Sequence, residues 1–213
     1  MSKETATGTS AAETRDLLLD AAFEHMYMHG FSGSGISEIL ADAGLTKGAL
    51  YYHFPSKLAL GYAVVEERVV PLVRERYLAP FREVSDPVEA VERMGRRMQE
   101  ELLKEGILMR GCPLNNLVQE MSGIDTGFRE RLAAILTEWR ATVAEGIERA
   151  RAKGTVHQDV QSDATATFVV ASLLGAIGFA KNAQDTGPFE ACRTQVNAYM
   201  ATLRPDGAVT ASS

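Results

Sequence analysis

The chain has 213 residues, 46% of them hydrophobic, and a formal net charge of −6. This composition supports a sizeable core and excludes a globally disordered chain. Two cysteines exclude a disulfide-stapled scaffold and favour a reducing compartment. The N-terminal residues lack the apolar segment of a signal peptide, so we expect a cytoplasmic protein.

The first predicted elements are a disordered arm and one helix. Residues 1–12 are small and polar, which is typical of an unfolded terminus. The pattern turns helical from Thr14, with apolar residues four apart from Leu18 to Met26. We expect Gly30 to end this helix.

Two short helices joined by a tight turn at Gly44 are predicted next. The first follows a Ser-Gly loop, in which Ser34 or Gly35 can serve as the N-terminal cap. Thr46 caps the second, which is expected to run from Lys47 to His53 before Pro55 ends it.

The rest of the chain is predicted to form longer helices. The first runs from Lys57 to about Tyr77, with a bend at Pro71. Cap and first-turn proline signals start two more, and a long helix runs from Asp125 until Gly154 stops it. The predicted starts and remaining helices are Asp86-Pro87, Cys112-Pro113, Asp163–Gln184 and Pro188–Leu203.

One apolar segment, residues 164–180, carries no charge over 17 residues and is close to the length of a membrane span. It contains threonines and glycines, and Lys181 closes it. We therefore interpret it as a helix buried between protein surfaces, and expect no membrane association.

These elements predict an all-α fold, with a helix-turn-helix near the N-terminus followed by a larger set of helices. The predicted segments are a disordered arm (1–12), the helix-turn-helix segment (13–56), the larger helical segment (57–203) and a frayed tail (204–213).

The second short helix has the surface chemistry of a recognition helix, which lies in the DNA major groove. Its N-terminus and Lys47 can hold phosphates, small residues permit close approach, and two tyrosines can contact thymine methyls, bases or phosphates. The predicted DNA-binding residues are Ser34, Ser37, Thr46, Lys47, Gly48, Ala49, Tyr51, Tyr52, His53 and Lys57.

The same segment resembles the DNA-binding domain of the TetR/AcrR family of bacterial transcription regulators. The resemblance rests on Gly30-Phe31, Ile36, Ile39, residues 43–54 (AGLTKGALYYHF) and Ser56-Lys57. It implies that residues 13–56 form a three-helix helix-turn-helix DNA-binding domain and residues 57–203 a larger helical ligand-binding and dimerisation domain. It also implies a homodimeric repressor that binds a near-palindromic double-stranded operator and responds to an unknown small-molecule effector. No cofactor is expected.

The chain departs from the family pattern at two positions. Met26 stands where phenylalanine is common, and Gly35 stands where a hydroxyl residue is common, which removes one expected phosphate contact.

The charge balance is unfavourable for DNA binding. Residues 1–60 hold four lysines and arginines against seven acidic residues, whereas a basic footprint is usual. The DNA-binding prediction therefore depends on local residues, and we expect weak non-specific binding.

Other functional classes have less support. His25 and His29 are spaced as a possible metal pair, but no third ligand is evident, so we predict no metal site. An enzyme would need a nucleophile–base pair, and none is visible. A further hypothesis is an all-α binding protein that does not recognise DNA. Retention of DNA in a gel distinguishes a regulator from such a protein.

The family resemblance implies a ligand pocket among the central helices, where methionine and aromatic side chains suit an adaptable apolar cavity. The predicted pocket residues are Tyr62, Met94, Met98, Met109, Cys112 and Trp139, and plain core packing is the alternative for each. A stripe of small residues, Ala171, Gly175 and Gly178, is predicted to form the dimer interface, with an intramolecular contact as the alternative.

Cys112 supports one further hypothesis. It precedes Pro113 and follows Arg110, so a helix N-terminus and a guanidinium can stabilise a thiolate that senses oxidants or electrophiles. The Gly-Cys start is similar to an electrophile-sensing branch of the family. The alternative is a small buried cysteine, and Cys192 lacks these features.

Overall fold

The computed structural model describes residues 10–104 and 107–205, and all regular structure in these ranges is helical. The α-helices are α1 (Ala11–Gly33), α2 (Ile36–Ala43), α3 (Lys47–His53), α4 (Lys57–Val64), α5 (Val70–Val73), α6 (Pro80–Glu83), α7 (Pro87–Leu102), α8 (Ile107–Arg110), α9 (Pro113–Met121), α10 (Thr126–Ala152), α11 (Ser162–Ala183) and α12 (Gly187–Ala201). Two π-helical stretches, Val65–Val69 and Arg74–Leu78, connect α4 to α5 and α5 to α6.

Helix α1 begins three residues before the predicted start. The Ser10 hydroxyl accepts from the Glu13 N–H at 3.2 Å, and the Glu13 carboxylate accepts from the Ser10 N–H at 2.7 Å. This reciprocal capping box fixes the start of the helix at Ala11. Residues 1–9 of the predicted arm, and residues 206–213 of the predicted tail, lie outside the described residues.

The helical run after α3 differs from the predicted bend at Pro71. Helix α5 contains Pro71 but is flanked by wide turns, in which Val70 donates to the Val65 carbonyl and Ala79 donates to the Arg74 carbonyl at 3.0 Å. Both bonds reach back five residues, which defines a π-helical turn. Because proline has no N–H and its ring crowds the preceding turn, wide turns beside it keep the run continuous.

The C-terminal helices pack around the long helix α10. The Asp125 carboxylate caps α10 by accepting from the Phe128 N–H at 2.8 Å, and Gly154 follows its end at a positive φ of 73°. Both signals agree with the predicted bounds. Phe128, Trp139 and Phe189 are fully buried in this domain.

The uncharged segment forms most of α11, which packs against α10 and α12. By length and composition α11 could cross a membrane, and 50% of its apolar window is buried inside the protein. Its other side is exposed, including Phe168 and Phe179. The helix is therefore buried on one face only, rather than between two protein surfaces of the same chain.

Candidate nucleic-acid interface

The turn between α2 and α3 depends on a glycine. Gly44 has φ 65° and ψ 31°, a left-handed conformation that a side chain disfavours. Its N–H donates to the Ala41 carbonyl at 3.2 Å, and the Leu45 N–H donates to the Leu40 carbonyl at 2.9 Å. These bonds end α2 and turn the chain into α3, as in a helix-turn-helix.

Helix α3 is anchored on one side and open on the other. The Thr46 hydroxyl accepts from the Ala49 N–H at 3.3 Å, and Leu50 and Phe54 are buried beneath the helix. On the opposite side Tyr52 is 78% exposed and Tyr51 is 53% exposed. Exposing the apolar ring surface of these tyrosines to water is unfavourable, and a bound partner would cover it. This face is therefore suited to binding.

The other predicted DNA-binding residues differ in how far they are exposed to solvent. Thr46, Lys47, Gly48 and Ser37 are exposed, while Ala49, His53 and Lys57 are half-buried. The Lys57 ammonium donates to the Ser32 carbonyl at 3.4 Å.

Ser34 differs from its predicted place at the DNA surface. Its side chain is fully buried, and its hydroxyl donates to the Gly30 carbonyl at 2.6 Å. The break in α1 at Gly30 leaves that carbonyl to be satisfied, and the serine satisfies it. Gly35, not Ser34, is the cap of α2, and it supplies no side-chain bond.

Glu38 lies in the first turn of α2 and was not among the predicted contact residues. A Cβ atom on Gly35 would come within 1.9 Å of a Glu38 carboxylate oxygen, so the glycine leaves room for this carboxylate. The signal was an acidic residue three positions after a capping position. Because the carboxylate lies at the positive end of α2, it opposes a phosphate at the same place.

Most acidic residues of α1 are paired away from α3. Arg68 donates to Asp16 at 2.9 Å and to Asp20 at 2.6 Å, and Arg110 donates to Glu24 at 2.6 Å. Both arginines lie beyond residue 60, so counting charges over 1–60 overstates the negative field near the DNA-binding face. Pairing of this kind lowers the local repulsion of phosphates.

One histidine of the spaced pair has an acidic partner. The His25 ring nitrogen Nε2 lies 2.7 Å from an Asp42 carboxylate oxygen, and the two imidazole rings lie 5.9 Å apart. Among residues 10–104 and 107–205, no three metal-ligating side chains are grouped closely enough to hold an ion.

The predicted pocket residues do not form one group. The Trp139 indole N–H donates to the Met94 sulfur at 3.3 Å, and Tyr77 stacks on that indole at 4.9 Å. Met94, Met98, Cys112 and Trp139 are buried core residues. Tyr62 lies instead at the contact between α4 and α10, where its hydroxyl donates to Asp125 at 2.7 Å. The Met109 side chain lies outside the described part of the chain.

The environment of Cys112 disfavours a thiolate. Cys112 is the cap of α9, as predicted, but its side chain is buried, and burial raises the pKa of its thiol. The N–H groups of Leu114 and Asn115 and the charge of Arg76 lower the pKa by less than burial raises it. The predicted thiolate stabilisation is therefore outweighed by desolvation. Cys192 is half-buried, and its pKa is also raised by burial.

An open cleft of about 400 Å³ lies between α9, α10 and α11. Its floor is apolar, formed by Val118, Leu136, Val170 and Leu174, and two of the predicted interface residues, Ala171 and Gly175, lie on its rim. Gly175 and Gly178 are exposed, and a Cβ atom on either would meet no atom within 4 Å. The small-residue face of α11 is thus free to approach another surface.

Two family models match the chain. Residues 18–64 match the bacterial regulatory proteins of the tetR family, and residues 89–196 match a tetracyclin repressor-like C-terminal domain. The first match covers the helix-turn-helix, and the second covers most of the larger helical domain.

Individual proteins agree with these models. The chain is 34% identical to the transcriptional regulator AcuR of Cereibacter sphaeroides, over 77% of this chain and 74% of AcuR. It is 29% identical to the transcriptional repressor DhaR of a Mycobacterium species, over 76% of this chain and 80% of DhaR. The crystal structure of a TetR regulator from Chloroflexus aurantiacus superposes with a TM-score of 0.81 at 28% identity, covering 91% of this chain and 97% of that one.

Proposed function

Because the chain belongs to the TetR family of bacterial transcription regulators, we propose that it acts in the cytoplasm as a homodimer on a near-palindromic operator and is released by a small molecule. It is a DNA-binding regulator with a helix-turn-helix domain and a larger helical domain. The observation that carries the proposal is the exposed face of α3.

The chemistry of that face suits the major groove. Lys47 is exposed at the start of α3 beside the small residue Gly48, and the exposed tyrosines follow within one turn and a half. A cation and free N–H groups at a helix start hold a phosphate, which positions the helix. Tyr51 and Tyr52 can then contact thymine methyls and bases.

The dimer proposal rests on the outer face of α11. Phe168, Ala171, Gly175 and Phe179 are exposed along this helix, and Phe179 is 72% exposed. Small residues permit close approach of two helices, and the flanking phenylalanines supply apolar area to bury. A two-fold dimer through this face would present two copies of α3 to successive major grooves, about 34–36 Å apart.

We place the effector among the central helices. The buried methionines beside Trp139 can adjust to a guest, since methionine is unbranched and polarizable. The cleft between α9, α10 and α11 is lined by Leu136, three residues before Trp139 on α10, which makes it the proposed route of entry. An effector that favours a second arrangement of these helices would shift the dimer away from the operator-binding spacing.

Selection of bound sites from random double-stranded DNA, followed by gel retention, tests the proposal. We expect a near-palindrome, bound selectively by the wild type and by Lys153→Ala, a control for an exposed lysine of the other domain. Tyr52→Ala should weaken binding and leave the melting temperature nearly unchanged. Absence of any selective DNA binding at low salt would refute DNA regulation. Turnover of a substrate by a chain that binds no DNA would favour an enzyme.

A further inference from the structure

The end of α1 contains two backbone N–H groups that the helix itself cannot use. Gly30 has φ 75° and ψ 171°, so the helical path breaks there before one more turn reaches Gly33. In an unbroken helix the N–H groups of Phe31 and Ser32 would donate four residues back. After the break the half-buried N–H of Phe31 needs another acceptor, because such groups are rarely left unpaired, whereas the N–H of the exposed Ser32 would otherwise bond to water.

A carboxylate from the C-terminal domain supplies both acceptors. The Phe31 N–H donates to Glu120 Oε2 and the Ser32 N–H donates to Glu120 Oε1, each at 2.8 Å. Glu120 lies in the last turn of α9, almost 90 residues further along the chain. Hydrogen bonds to a charged acceptor are stronger than neutral ones, and two parallel bonds also define an orientation.

The break and the carboxylate depend on each other. A Cβ atom on Gly30 would lie 2.5 Å from Glu120 Oε2, too close for any residue but glycine while the carboxylate stays in place. The positive φ of Gly30 independently favours glycine. Gly30 therefore provides both the free donors and the space for their acceptor.

The same segment leads directly into the DNA-binding helices. The Lys57 ammonium lies 4.7 Å from the centre of the Phe31 ring and donates to the Ser32 carbonyl, so the segment is held on both sides. Helix α2 begins four residues after Ser32. A second contact, from the Tyr27 hydroxyl to the Gly111 carbonyl at 2.6 Å, joins α1 to the loop just before α9. Helix α1 is thus held at both ends of α9.

We propose that Glu120 is a positioning residue for DNA binding, whose carboxylate fixes residues 31–32 and thereby sets the orientation of α2 and α3 relative to the C-terminal domain. The inference rests on the proposed function and adds a route for regulation. Val118 and Gln119, next to Glu120, line the cleft between α9, α10 and α11. A molecule that displaces α9 there moves the carboxylate, and the end of α1 with it.

Glu120→Gln tests the inference in the full-length chain, with Glu145→Gln as a control that removes a charge from an exposed position on α10. Amide hydrogen exchange measures the protection of the two N–H groups directly. Operator affinity, measured on the DNA sites that the wild type selects, measures the effect of the contact on DNA binding. We expect faster exchange at Phe31 and Ser32 and at least about tenfold weaker operator binding, because fewer molecules hold the binding orientation. Glu145→Gln should match the wild type in both measurements.

A second variant changes the length of the side chain instead of its charge. It also tests the inference if Glu120→Gln does not fold. Glu120→Asp keeps the charge but is one methylene shorter, so it should also exchange faster and bind more weakly. Operator binding that is unchanged or tighter while the two amides lose protection would overturn the inference and leave the proposed function intact. A wild-type chain that selects no DNA would overturn both.

Discussion

Replacing Lys47 by alanine tests which charges face DNA. Lys47 is exposed at the start of α3, and within the described ranges no carboxylate pairs with its ammonium. The substitution should therefore leave folding unchanged while removing one phosphate contact from each half of a dimer. Each phosphate neutralised contributes about −0.9 to the slope of log affinity against log salt, so the slope should become shallower by about 1.8.

Operator affinity measured across a salt series checks this value. Raising the salt concentration fourfold should cost the variant about tenfold less affinity than it costs the wild type. Lys153 follows the end of α10, in the other domain from α3. Lys153→Ala should therefore reproduce the wild-type slope. A Lys47→Ala slope equal to that of the wild type would show that α3 does not meet the phosphates at its N-terminus, and the reasoning from its exposed face would fail.

Three further outcomes are expected. Leu50→Ala should lower the free energy of unfolding by about 2–5 kcal/mol in a denaturant titration, because Leu50 is fully buried; a change below about 0.5 kcal/mol would mean that α3 is not anchored there. Gly175→Arg should convert the dimer to monomer in sedimentation, while Gly123→Arg, at another exposed glycine with open space around its Cβ position, should not; equal behaviour of the two would place the interface elsewhere. The Phe128 N–H and the Tyr62 hydroxyl lower the pKa of Asp125, so its carboxylate stabilises the fold above its unfolded pKa of about 3.9 and loses this effect as pH falls through the lower folded value. Asp125→Asn should therefore be less stable than the wild type at pH 7 and equal to it in strong acid, and a difference that persists in acid would assign the effect to something other than the charge.

Local patterns predicted much of the fold. Caps, first-turn prolines and terminal glycines act within a few residues, so Thr46, Asp86, Cys112 and Asp125 were placed correctly as helix caps. The π-helical turns beside Pro71 were missed, because the pattern of apolar residues is nearly the same for a bent helix and a widened one. The exposed face of α3 followed from the sequence because the large apolar residues Leu50 and Phe54 mark its buried side.

The sequence by itself determined an all-α regulator with a helix-turn-helix, since helix periodicity, caps and the recognition segment are all contiguous along the chain. Only the tertiary structure decided which groups meet across long separations. It buried Ser34 against Gly30, buried the thiol of Cys112 so that desolvation raised its pKa, and paired three of the four acidic residues of α1 with arginines beyond residue 60. The field around a charge and the cost of burying it depend on neighbours in space, and sequence order does not list them.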